Sequence, residues 1–281
     1  MRQQLRMRFP GGRAKAFTLS YDDGVEQDIR LIEMIREHGC KCTFNLSSDE
    51  YPPEGFSWEP GRIHRRMPLS KCQSIYVGDD IEVAVHGTHH PFWDAMPTPA
   101  AMWDIINDRR ELENQYGRVV RGAAYPFGAY SDTAVEMLRL AGIKYCRTVN
   151  SSHSFNIPAD WLRLPATCHH RDPELDRLAD RFVNMEAGRA RDPMMFYVWG
   201  HTYEFEDNDN WDVMEKLLCK VCGHDDVWYA TNIEIYDCWE AFSRLYYSAD
   251  GNRAYNPSAA DVWVWNGEET ICVPAGGSEN V

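Results

Sequence analysis

Short apolar runs alternate with amphipathic stretches along the first 250 residues of the chain. The apolar runs predict strands at residues 15–20, 42–46, 82–86, 119–125, 143–148, 194–199 and 227–231. Apolar residues at helical spacing predict helices at residues 27–38, 69–77, 99–117, 132–141, 173–188, 211–222 and 233–246. This alternation is typical of β/α units around a largely parallel sheet. About seven such units predict an α/β fold, in the form of a distorted (β/α)7-type barrel.

The pattern changes after Asp250-Gly251, where two short β runs cover residues 261–265 and 270–274. The turn between them contains Asn266-Gly267, a dipeptide that favours a β-hairpin. The sequence contains no internal repeat and no linker-like segment. We therefore predict a single domain, with a β/α barrel over residues 1–250 and a C-terminal hairpin extension over residues 251–281.

Charge and composition narrow the classes of function. The chain has 29 basic and 43 acidic residues, and its formal net charge of −14 provides no basic field for binding nucleic acid. No apolar run reaches the ~20 residues of a membrane span, so no membrane partner is expected. The first predicted strand starts almost at once and leaves no room for an apolar signal segment. These features predict a cytoplasmic protein.

The nine cysteines are scattered along the chain, which predicts reduced thiols in a reducing compartment. The single C-x-x-C, Cys219 to Cys222, has no second pair to complete a zinc site. The 10 Trp and 14 Tyr residues suit stacking on the apolar faces of sugars, although most are expected to pack in the core.

Two adjacent carboxylates follow the first predicted strand, in the segment Ser20-Tyr21-Asp22-Asp23-Gly24. Neighbouring side chains on an extended segment point in different directions. One carboxylate can therefore bind a metal ion while the other stays free as a base. The alternative is a solvated turn without chemistry.

Two histidines four residues apart, His86 and His90, come at the end of the third predicted strand. On a helical turn this spacing brings both imidazoles to one side. Imidazole and carboxylate are the usual donors of a catalytic zinc-like ion. The spacing favours His90 over His89 as the second ligand, and a buried structural pair is the alternative.

Three further segments carry polar or aromatic groups at strand ends or in loops. His201 ends an apolar strand, a position that suits a general acid as well as a hydrogen-bonded structural histidine. Pro126 and Phe127 form an aromatic turn, which either directs the Phe127 N–H at a developing oxyanion or only packs. The loop segments Asp160-Trp161 and Cys168-His169-His170 either line the site or lie elsewhere. Chemistry in β/α barrels gathers at the carboxyl ends of the strands, where most of these residues fall.

Taken in order, these segments resemble the polysaccharide deacetylases of the NodB-homology group, carbohydrate esterase family 4, over roughly residues 17–231. The resemblance implies that Asp22 is the general base, that Asp23, His86 and His90 bind the metal, and that His201 is the general acid. The implied cofactor is a divalent ion, zinc first, with cobalt, nickel and manganese as alternatives. The implied activity is the removal of N- or O-acetyl groups from a carbohydrate.

Two motifs depart from the family pattern. Ala124 stands where the family has an arginine that orients the catalytic aspartate, and Arg147 and Arg163 are the candidates to replace it. The family's D-x-x-D-W element survives only as Asp160-Trp161. The predicted oxyanion and substrate set consists of Pro126, Phe127, Arg147, Asp160, Trp161, His170 and Trp199.

These departures keep a second interpretation open, a metal-dependent hydrolase of a small non-sugar amide on the same scaffold. A third interpretation is a non-catalytic carbohydrate-binding relative, which the retained Asp and His residues argue against. The predicted partner is an acetylated carbohydrate or a small amide. The sequence leaves the oligomeric state open, a homo-oligomer included.

Overall fold

The computed structural model describes residues 5–185 and 192–281, and a nine-stranded sheet forms its centre. The strands are β1 (Arg6–Arg8), β2 (Lys15–Asp22), β3 (Cys42–Leu46), β4 (Ile81–Val85), β5 (Gly122–Ala124), β6 (Tyr145–Ser151), β7 (Leu164–Ala166), β8 (Cys168–His169), β9 (Met194–Gly200), β10 (Val227–Tyr229), β11 (Tyr246–Tyr247), β12 (Arg253–Tyr255), β13 (Val262–Trp265), β14 (Thr270–Val273) and β15 (Ser278–Asn280). The helices are α1 (Asp28–Glu37), α2 (Leu69–Ile75), α3 (Thr98–Tyr116), α4 (Asp132–Leu140), α5 (Leu175–Asn184), α6 (Tyr203–Asp207), α7 (Asp212–Val221) and α8 (Asn232–Ser243).

The large sheet follows the order β7-β6-β5-β4-β3-β2-β9-β8, with β10 beside the start of β2, and its strand pairs are parallel. Only Thr167 separates β7 from β8, and its N–H donates to the Tyr197 carbonyl at 2.8 Å. One segment therefore pairs with β6 through its first half and with β9 through its second half. The sheet curves back on itself through this segment. The predicted α/β architecture of parallel strands and surrounding helices is confirmed.

Near the amino ends of the strands, a network of hydrogen-bonded polar side chains is buried around Glu82. The buried carboxylate of Glu82 accepts hydrogen bonds from Thr43 Oγ1 at 2.7 Å, from the Tyr145 hydroxyl at 2.7 Å and from the Ile233 N–H at 3.0 Å. Burial raises the pKa of Glu82 to about 7. Gly122 leaves the space for Tyr145, because a Cβ there would lie 2.2 Å from the tyrosine oxygen. Ile233 belongs to α8, so the start of this helix closes the amino end of the sheet.

Several predicted boundaries shift in the structure. β2 extends two residues beyond its predicted end, so that Asp22 is the last residue of the strand. Residues 164–169, where no strand was predicted, form β7 and β8, and residues 203–207 form the unpredicted helix α6. These segments are too short to show a period in the sequence. The helix predicted at residues 173–188 is observed as α5, and its residues 186–188 lie outside the described residues.

The predicted hairpin is present as β13 and β14, which pair antiparallel with Trp263 opposite Cys272. Its loop is longer than the Asn-Gly dipeptide suggests, since the Asn266 N–H donates to the Glu269 carbonyl at 3.2 Å. β1 adds a third strand to this hairpin, and β11, β12 and β15 form a separate small sheet. The sequence did not predict these additions, because short polar strands carry little apolar signal.

Cys40 and Cys222 form a disulfide across 182 residues of sequence, with their Cα atoms 6.9 Å apart. The expectation of reduced thiols is therefore wrong for this pair, because only the fold brings the two cysteines together. Across residues 5–185 and 192–281, every helix is either too short or too polar to cross a membrane.

Candidate active site

The predicted catalytic and metal-binding residues meet at the carboxyl edge of the parallel sheet. Asp22 ends β2, His86 follows β4 and His201 follows β9. β2 pairs directly with β9 and reaches β4 through β3. Because these strands are parallel, their carboxyl ends lie at one edge, and side chains far apart in sequence come together there.

Asp23, His86 and His90 form a group whose potential ligand atoms all lie within 4.8 Å of one another. The Nε2 atoms of the two histidines are 3.1 Å apart. His86 Nδ1 lies 2.9 Å from the Ala124 carbonyl oxygen, which only accepts hydrogen bonds. Nδ1 therefore carries the proton, and Nε2 presents its lone pair to the group. One carboxylate and two imidazoles oriented in this way fit a zinc-type divalent ion.

The protonation states in this group also suit a cation. Burial lowers the pKa of His86, and burial together with the neighbouring His86 lowers the pKa of His90 to about 4. Burial acts to raise the pKa of Asp23, but the hydrogen bond from His64 and the surrounding charges lower it well below its usual range. At neutral pH the group therefore consists of an ionised carboxylate and two neutral imidazoles, the forms that bind metals.

Three residues at the site have left-handed backbone conformations, with φ of 81° at Asp23, 52° at His90 and 57° at Phe127. Such values are costly for residues other than glycine and concentrate at functional sites. Gly87, between His86 and His90, has a φ of 80°. A Cβ at Gly87 would lie 2.6 Å from Cδ of Pro91, so this loop requires glycine.

Two carboxylates of α3 hold the loop that contains the histidines. Asp108 Oδ2 accepts a hydrogen bond from the His86 N–H at 3.1 Å. Asp104 Oδ2 accepts hydrogen bonds from the Thr88 N–H at 3.3 Å and from Trp93 Nε1 at 2.7 Å. These contacts fix the direction in which His86 leaves the end of β4.

Asp22 lies beside this candidate metal-binding group and is only 2% exposed. Its Oδ2 accepts a hydrogen bond from Arg147 Nη2 at 2.5 Å, and its Oδ1 accepts one from Asn45 Nδ2 at 2.8 Å. Burial acts to raise the pKa of Asp22, but the charge of Arg147, followed by those of His86 and His201, lowers it below its ordinary value. Asp22 is therefore ionised, as a general base must be.

Arg147 contacts Asp22 from the strand next to the one that carries Ala124. Ala124 and Arg147 are direct register partners across β5 and β6. The Arg147 guanidinium also lies 4.1 Å from the centre of the Trp199 ring. Arg163, the other candidate to replace the family arginine, instead forms ion pairs with Asp160 and Asp132.

His201 faces Asp22 with one ring nitrogen and Glu204 with the other. Its Nε2 lies 3.8 Å from Asp22 Oδ2, and its Nδ1 lies 3.6 Å from Glu204 Oε1. Burial acts to lower the pKa of His201, but Glu204, with the charges of Asp22 and Asp23, raises it above its usual value. A histidine that holds its proton more strongly suits the role of a general acid.

Glu204 also contacts two neighbouring histidines. Its Oε2 lies 3.0 Å from His170 Nε2 and 3.3 Å from His169 Nε2. The Arg171 N–H donates to His169 Nδ1 at 3.1 Å, so the proton of this ring is on Nε2 and faces Glu204. The potential ligand atoms of His169, His201 and Glu204 also lie within 4.8 Å of one another. In this tautomer, however, His169 Nε2 donates a hydrogen bond and offers no lone pair to a metal ion.

Three polar side chains at the site were not predicted from the sequence. His64 Nε2 lies 3.2 Å from Asp23 Oδ2, and Arg66 Nη2 donates to Asp23 Oδ1 at 3.2 Å. Both come from the loop at residues 51–66, where single polar residues form no motif. Glu204 could have been predicted from its spacing. It lies three residues after His201, and on a helical turn this spacing places both side chains on one side.

Aromatic side chains border the metal-binding group. Phe127 is 56% exposed, stacks on Phe92 with ring centres 3.9 Å apart, and meets the His90 ring edge-on at 4.2 Å. Pro126 is buried at the start of the same turn. Trp199 is buried between Arg147 and the His169 ring, whose centre lies 4.6 Å from that of Trp199. The exposed rings provide an apolar surface beside the reacting groups.

The structure places Trp161 and Asp160 away from this site, so their predicted place in the substrate set is corrected. They lie before β7, at the edge where the parallel strands begin. Trp161 packs on Tyr236 and Trp239 of α8, with ring centres 5.3 Å and 5.5 Å away. Asp160 accepts a hydrogen bond from the Leu162 N–H at 3.0 Å. The sequence could not separate the two ends of the sheet, because loops at both ends are polar and aromatic.

Comparisons with known proteins show what the chain is similar to. The family model for polysaccharide deacetylase matches residues 10–146, the part that contains Asp22, Asp23, His86 and His90. The match confirms the resemblance to polysaccharide deacetylases that the motifs predicted. No curated protein matches the whole sequence closely enough to be assigned as a relative.

Three solved structures illustrate the likeness. A putative polysaccharide deacetylase from Mycobacterium smegmatis shares 16% identity with a TM-score of 0.59, covering 86% of this chain and 95% of that one. A Streptomyces lividans family 4 carbohydrate esterase in complex with acetate shares 12% identity with a TM-score of 0.48, covering 77% and 92%. The Streptococcus pyogenes deacetylase PplD in complex with acetate shares 19% identity with a TM-score of 0.40, covering 47% and 55%. The chain thus spans about half the length of PplD, and the Mycobacterium smegmatis structure supports the fold.

Proposed function

We propose that this protein is a metal-dependent hydrolase that removes acetyl groups from a carbohydrate. The observation that carries the proposal is the position of Asp22 between the metal-binding group and His201. Its Oδ2 lies 3.8 Å from His86 Nε2 on one side and 3.8 Å from His201 Nε2 on the other. A base between a cation site and an acid is the arrangement that acyl hydrolysis needs.

Asp23, His86 and His90 would hold the divalent ion, with zinc as the first choice for this donor set. Such an ion supplies Lewis acidity to a carbonyl oxygen and to water. His64 and Arg66 stand behind the Asp23 carboxylate and keep it ionised and oriented.

Asp22 takes the proton of the attacking water, and Arg147 keeps Asp22 ionised for this step. On the other side of the site, His201 gives its own proton to the departing amine or hydroxyl group as the bond from this group to the acyl carbon breaks. His201 recovers a proton from Asp22 or solvent before the next turnover. The Phe127 N–H, in a left-handed turn beside His90, is a candidate donor to the oxyanion, and a correctly placed donor of this kind contributes roughly 3–4 kcal/mol.

A small non-sugar amide remains the second candidate substrate. The observation in its favour is the position of Trp161, which packs against α8 instead of lining the site. The resemblance to carbohydrate deacetylases therefore extends to the catalytic groups more fully than to the groups that would bind a sugar chain.

A hydrolysis panel tests the proposal. Purified protein, stripped of metal by a chelator and reloaded with zinc, cobalt, nickel or manganese, is assayed for acetate release. The substrates are N-acetylated and O-acetylated oligosaccharides and small N-acetyl amides. We expect metal-dependent acetate release from the saccharides. Acetate release from the small amides alone would support the second candidate function. No release with any metal would support a non-catalytic carbohydrate-binding protein.

A further inference from the structure

A second group of metal-binding side chains lies at the amino edge of the sheet, away from the candidate active site. Two of its residues follow the end of α1, and three lie on α7 or its C-terminal cap. α1 leads into β3 and α7 leads into β10, so both helix ends lie where the parallel strands begin. The α1–α7 cluster, as we name it, consists of His38, Cys40, Glu215, Cys219 and Cys222.

The two segments of the α1–α7 cluster are in direct contact. His38 Nε2 lies 3.3 Å and Cys219 Sγ 3.4 Å from Glu215 Oε1. The potential ligand atoms of His38, Glu215 and Cys219 all lie within 4.8 Å of one another. Cys40 and Cys222 are joined by the disulfide. Three sulfur atoms, one imidazole and one carboxylate thus come from two short segments.

The periodicity of α7 explains this convergence. Glu215, Cys219 and Cys222 occupy positions i, i+4 and i+7, which form one stripe along a helix. Leu218 and Val221 lie on another face and are fully buried in the core. The stripe therefore faces the end of α1, and Cys219 remains an exposed free thiol one turn from Cys222.

We propose that the reduced protein binds a zinc-type divalent ion at the α1–α7 cluster, through the thiolates of Cys40, Cys219 and Cys222 and the imidazole of His38. The spacings His-x-Cys and Cys-x-x-Cys give four soft or borderline donors, the number of ligands in a closed structural zinc site. The C-x-x-C pair provides only two of the four ligands. His38 and Cys40, which follow α1, provide the other two. Glu215 contacts Nε2 of His38 at 3.3 Å, so Nδ1 of this ring would be the ligand atom, and carboxylates commonly orient ligating histidines through the other nitrogen.

The disulfide and the metal site are alternative states of the same thiols. A dithiol reductant gives two electrons to the Cys40–Cys222 bond, which breaks to give two thiols while the reductant forms its own disulfide. The thiols release their protons when they bind the cation. In a reducing compartment the ion would link α1 to α7, and in an oxidising compartment the disulfide would do so. The site lies at the amino edge of the sheet, opposite the edge that carries catalysis in such folds, so its role would be to stabilise the fold.

Cobalt(II) spectroscopy tests the proposal, because cobalt bound by thiolates absorbs by charge transfer in the near ultraviolet. Oxygen and nitrogen donors such as Asp23, His86 and His90 do not produce this absorption. We expect the band when the chelator-treated, reduced protein is titrated with cobalt, and no band in the oxidised protein. Cys219→Ser and Cys222→Ser are expected to lose most of the band.

Two control variants are matched to this experiment. Cys238→Ser changes a free cysteine outside the cluster, and Asp23→Asn removes a ligand of the candidate active site. Both are expected to retain the band. Absence of the band in the reduced protein, with an unchanged circular dichroism spectrum, overturns the proposal, as does full retention in Cys219→Ser. Since the readout is spectroscopic, neither result depends on hydrolytic activity.

Discussion

Arg147 and Asp22 form a buried ion pair between β6 and β2, with Arg147 Nη2 2.5 Å from Asp22 Oδ2. Both side chains are at most 2% exposed, so the pair is largely shielded from solvent. The related family places its arginine at the position of Ala124, which is the register partner of Arg147 on the adjacent strand. Arg147 therefore lies one strand away from that position, at the same level along the sheet. It thus supplies a guanidinium to Asp22 where the sequence motif lacks one.

Arg147→Ala is expected to raise the pKa of Asp22. Burial raises this pKa, and without Arg147 only the charges of His86 and His201 would oppose that effect. The acidic limb of the pH–rate profile should move to higher pH, and kcat should fall by roughly two decades, the scale of a disturbed general base. The control is Arg163→Ala, since Arg163 pairs with Asp132 and Asp160. Equal effects of the two substitutions would contradict the role of Arg147.

The two adjacent aspartates are expected to separate metal binding from turnover. Asp22→Asn should abolish hydrolysis while the protein keeps its metal, because Asp22 accepts from Arg147 and Asn45 and lies outside the ligand group. Asp23→Asn should lower metal affinity by roughly tenfold or more, because changing a ligand costs at least as much as changing a residue that orients one. Metal content by mass spectrometry distinguishes the two. Loss of metal in Asp22→Asn would reverse the assignment.

His201→Ala should give folded protein with activity lower by roughly two or more decades, the usual loss for a general acid. Glu204→Gln should act through the pKa of His201, which Glu204 raises. We expect the basic limb of the pH–rate profile to move to lower pH in this variant, while KM changes little. A KM effect with an unchanged pH profile would show that Glu204 serves binding instead.

Replacing Trp161 should affect stability, whereas replacing Phe127 should affect substrate binding. Trp161→Ala removes packing against α8 and should lower the free energy of unfolding by about 3–5 kcal/mol, with KM unchanged. Phe127→Ala removes an exposed ring beside His90 and should raise KM with little loss of stability. Denaturant unfolding and steady-state kinetics on both variants provide the comparison. An increase in KM for Trp161→Phe, the milder replacement, would restore Trp161 to the substrate site.

Glu82 should make stability depend on pH. Its pKa is about 7 in the folded protein and near 4.5 when it is exposed, so the folded state holds the extra proton between these values. The free energy of unfolding should therefore fall as the pH rises from about 4.5 to about 7. Glu82→Gln removes this titration and should flatten the dependence, as measured by urea midpoints across this range. Asp28 and Asp108, with pKa values also raised to about 7, retain part of the slope.

The sequence predicted those parts of the site that lie at the ends of long apolar strands. Asp22 ends β2, Asp23 comes next, and His86 and His201 follow β4 and β9. Because these strands are parallel, their carboxyl ends lie at one edge of the sheet. The remaining contacts depend on tertiary structure. Arg147 becomes significant only through the register of β5 and β6. His64 and Arg66 reach Asp23 from a loop without periodicity, and nothing local distinguishes the loop of Trp161 from one at the other edge.

The pairing of β1 with β13 has a practical consequence for shortened forms of the chain. Residues 6–8 precede the segment that matches the family model, and they provide none of the groups assigned to catalysis. Their removal would nevertheless leave the backbone of Val264 and Trp265 without its neighbouring strand. An unpaired apolar edge of this kind is a template for self-association. A truncation at the family boundary is therefore expected to reduce solubility before it affects the chemistry.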